Sequence, residues 1–193
     1  HLDGFYYKPR MDKTLLRAHH EGLIALSACL AGEVARNLMA DRYEDAKRVA
    51  LEYQDIFDAG NFFLEIGHHP GIKETIKPMA ELRRLSKETG IPLAATQDIH
   101  YLKKEDAEAH DILLAVQTGN KLDDGDRLSL KDDDFSMRSP EDMAALFADV
   151  PEAITNTAAI ADRCNVKLQL GTIRLPKFPV PEGGDAKVFL RKL

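Results

Sequence analysis

Three short apolar runs, at residues 23–28, 62–66 and 91–96, constrain this chain more than any other feature, because amphipathic stretches of helix-forming residues separate them. That alternation is how βα units build a parallel sheet: strands buried on both faces read as continuous apolar runs, and each crossover needs about a dozen residues or more. The first run predicts a strand, then a helix that breaks near Asp41 and resumes over residues 43–57. Gly60 and Asn61 punctuate the chain before the second run, whose aromatic and β-branched content predicts another strand, followed by a loop at residues 68–71. A helix is predicted over residues 73–89 and is stopped by Gly90, the residue expected just past a helix C-terminus. The third run is a strand in which Pro92 is tolerated only near the start. The spacing fits either an open doubly wound sheet or part of a closed barrel. In both, chemistry falls on the loops after the strand C-terminal ends.

Beyond Lys103 the pattern turns to helices and polar loops. Residues 105–117 read as a helix with Ile112, Leu113 and Val116 on one apolar stripe, and residues 121–134 as an acidic, solvated loop. Ser139 and Pro140 form a helix start, as N-cap and first helical residue. A further helix is predicted over residues 151–164. Residues 175–184, rich in Pro and Gly, read as an extended connector, after which a new helix begins near Asp185.

The bulk properties narrow the function. A chain of 193 residues with 44% hydrophobic content can bury one substantial core with an appendage. No apolar run approaches the roughly 18 residues of a membrane span, and the first residues do not resemble a signal peptide, so a cytoplasmic protein without membrane contact is expected. The absence of an initiator Met hints at a piece of something longer. Two cysteines are too few for a disulfide framework. The formal net charge of -6 argues against a main DNA-gripping surface, which needs cations to neutralise phosphates.

The sharpest chemical signal is Asp98-Ile99-His100, where the third strand runs out. In extended backbone residues two apart share a face, so this carboxylate and imidazole together could hold a divalent metal. An ordinary loop Asp beside a hydrogen-bonded His is the alternative. Cys29 ends the first strand and falls on the same rim; its thiolate would complete a mixed N, O and S donor set suited to zinc or a similar ion, the alternative being a small buried apolar residue. Glu65, near the end of the middle strand, is a second-tier rim carboxylate. The pairs His19-His20 and His68-His69 read as surface residues, since neighbours diverge, and Cys164 reads as core or unremarkable. Gly-rich phosphate loops and Ser nucleophile elbows are absent, as is a paired-Asp nucleotidyl-transfer motif; Asp132-Asp133-Asp134 lies in a loop.

Several stretches together carry a resemblance. They are residues 4–10, 21–34 and 95–111, then 135–143, Asn156-Thr157, 160–166 and 175–179. In order and spacing they resemble the alpha subunit family of bacterial DNA polymerase III. The resemblance implies an α/β fold, with the C-terminal part of a PHP domain, a distorted (β/α) barrel, over residues 1–165. Residues 166–193 would be a connector and the start of the polymerase palm. It implies that Cys29 stands at a late His or Cys metal-ligand position and that Asp98 and His100 form the last ligand pair. Gln97 stands where many relatives have Asn, and the family's opening His-x-His motif is not present in these residues. Implied cofactors are divalent ions at the PHP site (zinc, manganese or magnesium) and magnesium for the parent polymerase. Implied partners are DNA, a sliding clamp and a proofreading subunit. The PHP portion is expected to serve a 3′–5′ exonuclease or act as a scaffold, with no catalytic residue inside this fragment. A stand-alone metal-dependent PHP phosphoesterase is the alternative.

Overall fold

The computed structural model describes residues 4–173, 179–180 and 184–192. It falls into two compact units, residues 1–163 and 164–193. The first opens with a hairpin of β1 (Phe5–Tyr6) and β2 (Lys8–Pro9), then α1 (Lys13–Ala18) and β3 (Ala25–Leu26). Helices α2 (Glu33–Met39) and α3 (Tyr43–Phe57) lead to β4 (Phe62–Ile66), and α4 (Lys73–Thr89) leads to β5 (Leu93–Ala95). A short 3-10 turn at Lys104–Asp106 precedes α5 (Ala107–Thr118), α6 (Pro140–Leu146) and α7 (Pro151–Arg163). In the second unit, α8 (Ala186–Lys192) starts where Asp185 accepts hydrogen bonds from the Lys187 and Val188 N–H groups at 2.8 and 3.0 Å. The proposed connector at residues 175–184 lies mostly outside the described residues.

Strands β3, β4 and β5 form a parallel sheet with β4 in the middle. Registers Ala25↔Phe62, Leu26↔Phe63, Glu65↔Ala94 and Ile66↔Ala95 bring all three C-terminal ends to one rim. The strands are shorter at their ends than the apolar runs predict, but their order and direction agree. Phe62, Leu64 and Ile66 are at most 1% exposed, each side chain contributing about 1.5–3 kcal/mol by leaving water. Against them pack Val34 and Leu38 from α2, Val49 from α3, Leu82 and Leu85 from α4, and Ala153 from α7. These helices are amphipathic for that reason.

The break at Asp41 is real: its φ is 59°, a left-handed value that no helix interior tolerates. Gly90 ends α4 at φ 74°, its N–H donating to the Ser86 carbonyl at 2.8 Å, while the Ser86 hydroxyl donates to the Ile91 carbonyl at 2.7 Å. Ser139 caps α6 by accepting from the Asp142 N–H at 3.0 Å. At the β5 edge, Asn156 of α7 donates to the Leu93 carbonyl at 2.7 Å, giving that backbone group a partner the sheet does not supply.

The apolar stripe expected on α5 faces outward. Ile112, Leu113 and Val116 are 45%, 60% and 74% exposed, and the buried residues are Asp111, Leu114 and Ala115. The reason is electrostatic: Asp111 receives both Arg127 nitrogens, at 2.7 and 2.6 Å, and the Ser129 hydroxyl at 2.8 Å, so burying it costs little. Cys164 is exposed rather than core.

Replacing Gly90 with Ala forces a Cβ into left-handed backbone with no clash to relieve, and we expect a loss of about 1 kcal/mol in denaturant unfolding of the chain.

Candidate metal-facing cavity

The common rim of the three strands carries one cavity, of about 30 Å³, lined by Cys29, Glu65, Gly67, His69, Thr75, Met79, Thr96 and Asp98. Each wall is held by its strand end. The Ser27 N–H donates to the Phe63 carbonyl at 2.9 Å and its hydroxyl accepts from the Glu65 N–H at 2.9 Å, fixing the β3 exit against β4. The Thr96 N–H donates to the Ile66 carbonyl at 2.9 Å, and its hydroxyl donates to Glu65 Oε1 at 2.8 Å, fixing the β5 exit. Glu65 is thereby an oriented carboxylate. The sequence alone ranked it behind the other rim residues.

Two left-handed residues turn the chain at this rim. Ala28, just before Cys29, has φ 63°, and Asp98 has φ 53°. Such non-glycine conformations cost about 1–2 kcal/mol each and persist only where surrounding structure enforces them. The Cys29 loop is closed by Gly32, whose N–H donates to the Cys29 carbonyl at 2.8 Å. A Cβ on Gly32 would lie 2.3 Å from the Ser27 carbonyl oxygen, so only glycine fits. Partial burial pushes the Cys29 thiol above its ordinary value; a backbone N–H from Leu30 opposes this, and the carboxylates of Asp98 and Glu65 add to it. The thiolate is disfavoured until a cation compensates those charges.

Of the three rim candidates the structure brings two together. Cys29 and Asp98 share the cavity, whereas His100 is not among its lining residues. The extended-backbone expectation for Asp98 and His100 is corrected here: the strand ends at Ala95, and the left-handed turn at Asp98 breaks the two-residue alternation. His100 Nδ1 instead meets the Asp98 backbone oxygen at 2.7 Å and lies 3.9 Å from Asp98 Oδ1. Its ring packs edge-on against Phe135 and His110, with centroids 5.4 and 5.5 Å apart. Among the described residues, no group of three or more His, Cys, Asp or Glu side chains is arranged to hold a metal ion.

His69 was read as a surface residue and is not one. It is 6% exposed, lines the cavity, and stacks on Phe135 at 4.4 Å and 16°. Among the described residues neither ring nitrogen has a hydrogen-bond partner, and burial pushes the imidazole pKa below its ordinary value. Its burial is made by Phe135, remote in the chain, so no local signal marked it.

The acidic loop is also not merely solvated. Asp133 Oδ2 accepts from the Gly71 N–H at 2.6 Å, Gln97 donates to the Asp134 carbonyl at 2.9 Å, and Asp134 pairs with Arg138 at 3.3 Å. The loop thus ties Phe135 against His69 and against the backbone of His100, whose N–H donates to the Phe135 carbonyl at 3.0 Å.

With this geometry in hand, comparison with known proteins places the chain. Residues 1–69, just over a third of it, match the PHP domain family. The match stops short of Asp98 and His100. Nearly the whole chain is similar to DNA polymerase III subunit alpha: 41% identity to that of Treponema pallidum (strain Nichols) over 97% of the chain, and 40% to that of Thermus aquaticus over 100%. Identity to the subunit of Deinococcus radiodurans is 42% over 99% of the chain. The chain spans 16% of the length of the first two relatives and 15% of the third. It therefore matches a segment of a DNA polymerase III alpha subunit that includes PHP-domain sequence.

Two outcomes test the geometry. Gly32→Ala is expected to displace the Cys29 loop, read as a changed rate of Cys29 alkylation by iodoacetamide relative to wild type, with Cys164, exposed like Cys29, as the reference in the same sample. Asp111 is held well below the ordinary carboxylate value of 3.8, first by the Arg127 hydrogen bond and then by Ser129. Its contribution to stability is present above pH 3.8 and is lost as pH falls through its lower folded value. Asp111→Asn should be less stable than wild type at pH 7 and show a flatter acid limb below pH 4, measured by urea unfolding across the range from about pH 2 to 7.

Proposed function

We propose that this chain is a segment of a replicative DNA-directed DNA polymerase, with its PHP portion contributing part of a divalent-metal site. The observation that carries this is 40–42% identity to three alpha subunits over 97–100% of the chain. Residues 1–165 are assigned to the PHP domain and residues 166–193 to the connector into the polymerase core. DNA is the substrate of the whole protein, and a sliding clamp and a proofreading subunit are its partners. Among the described residues no helix is long and apolar enough to cross a membrane. This reading places the whole protein in the cytoplasm.

The fit to a metal is partial and specific. Cys29 and Asp98 supply sulfur and oxygen donors to one cavity, Glu65 adds an oriented carboxylate, and the Cys29 thiol is raised in the way a cation would reverse. That donor set suits zinc or manganese better than magnesium alone, which prefers oxygen. His100 sits one hydrogen bond from Asp98 and is the third assigned ligand. This reading takes the remaining donors from parts of the alpha subunit that the chain does not cover. A divalent ion there would supply Lewis-acid stabilisation of a phosphodiester. The residues of this chain would bind it, and none is assigned a catalytic role.

In full-length protein, Asp98→Ala/His100→Ala should lower metal content by elemental analysis and reduce hydrolysis of single-stranded DNA 3′ ends, while primer extension persists. Unchanged metal content would overturn the ligand assignment. Absence of primer extension by the wild type would overturn the polymerase reading.

A further inference from the structure

The hairpin formed by β1 and β2 cannot bury its own side chains. Phe5 pairs with Pro9 and Tyr6 with Lys8, and Tyr7 makes the turn at φ 59°. The Arg10 N–H donates to the Gly4 carbonyl at 2.9 Å, and a Cβ on Gly4 would lie 2.0 Å from the Arg10 carbonyl oxygen, so this closure requires glycine. The result is three consecutive aromatic residues, Phe5, Tyr6 and Tyr7, exposed at 56%, 64% and 82%.

Two contacts fix these rings rather than leaving them splayed. Tyr6 and Tyr7 meet edge to face with centroids 4.7 Å apart, and the Arg10 guanidinium lies 5.4 Å from the Tyr6 centroid. Lys8 and Arg10 are exposed, and among the described residues neither forms an ion pair with a carboxylate, unlike Lys13 and Arg17 a few residues on. Aromatic rings beside exposed cations are what a single nucleic-acid strand uses, its bases stacking on the rings while its phosphates meet the charges. A duplex offers no free base faces to such rings.

We infer that residues 5–10 form a contact for a single DNA strand, with bases stacking on Tyr6 and Tyr7 and phosphates meeting Lys8 and Arg10. The net charge of -6 makes this a local guide for the strand and leaves the main grip elsewhere. That the strand is DNA rather than RNA rests on the polymerase reading. The stacking chemistry stands without it.

The test uses full-length protein and a single-stranded DNA oligonucleotide carrying 5-iodouracil, irradiated and mapped by mass spectrometry. A crosslink at Tyr6 or Tyr7 that weakens as salt rises is expected. Its yield should fall about tenfold or more in Tyr6→Ala/Tyr7→Ala, survive in Tyr6→Phe/Tyr7→Phe, and drop in Lys8→Gln/Arg10→Gln. Primer extension by the wild type on the same preparation tells loss of this contact apart from failure of the polymerase reading. No crosslink within residues 5–10 of the wild type while extension persists would overturn the inference, the hairpin then being covered by other polypeptide. Equal yield from the Ala variant would overturn it as well, and crosslinking to RNA alone would overturn the choice of DNA.

Discussion

Parallel pairing of β4 with both neighbours is the interaction on which the rest depends. Because the three strands run the same way, their C-terminal ends share one rim, and residues as distant as Cys29, Glu65 and Asp98 meet around one cavity. Each ladder bond contributes modestly, but β4 is buried on both faces and has no alternative partner in water, so register is fixed by burial as much as by hydrogen bonding. Slipping β4 by one residue would move Glu65 into the core and Leu64 or Ile66 to the rim.

The rim then departs from regular geometry where chemistry is expected. Left-handed backbone at Ala28 and Asp98, a glycine that alone fits at position 32, and a buried histidine whose ring nitrogens find no hydrogen-bond partner among the described residues all occur within one group of loops. Each is unfavourable in isolation. Together they describe a rim braced by the sheet beneath it and by an acidic loop whose backbone and side chains are tied down.

Much of the frame could be read from sequence because its causes are local. The aromatic and β-branched run of β4, the Gly90 stop and the Ser139 cap are each set by a residue's own backbone preference. His69 and the acidic loop were not legible, since their environment is made by Phe135 and Gly71, residues remote in the chain. The helix α5 was legible but its orientation was not: apolar periodicity identifies a face but not whether it turns inward, and the Arg127 pair decided that by burying Asp111. His100 is off the cavity lining because β5 ends at Ala95, five residues before it, and the left-handed turn at Asp98 breaks the alternation.

The Asn156 bond to the Leu93 carbonyl bears on how the chain acquires its shape while it is being made. Its partners lie 63 residues apart. At about 5–20 residues per second, a ribosome adds that length in roughly 3–13 s, during which the outer edge of β5 has only water to pair with. Sheet and helices through α4 can assemble in that interval, but the edge stays a template for any extended strand nearby until α7 emerges. Synthesis speed across residues 96–156 thus sets how long the nascent chain is open to mispairing.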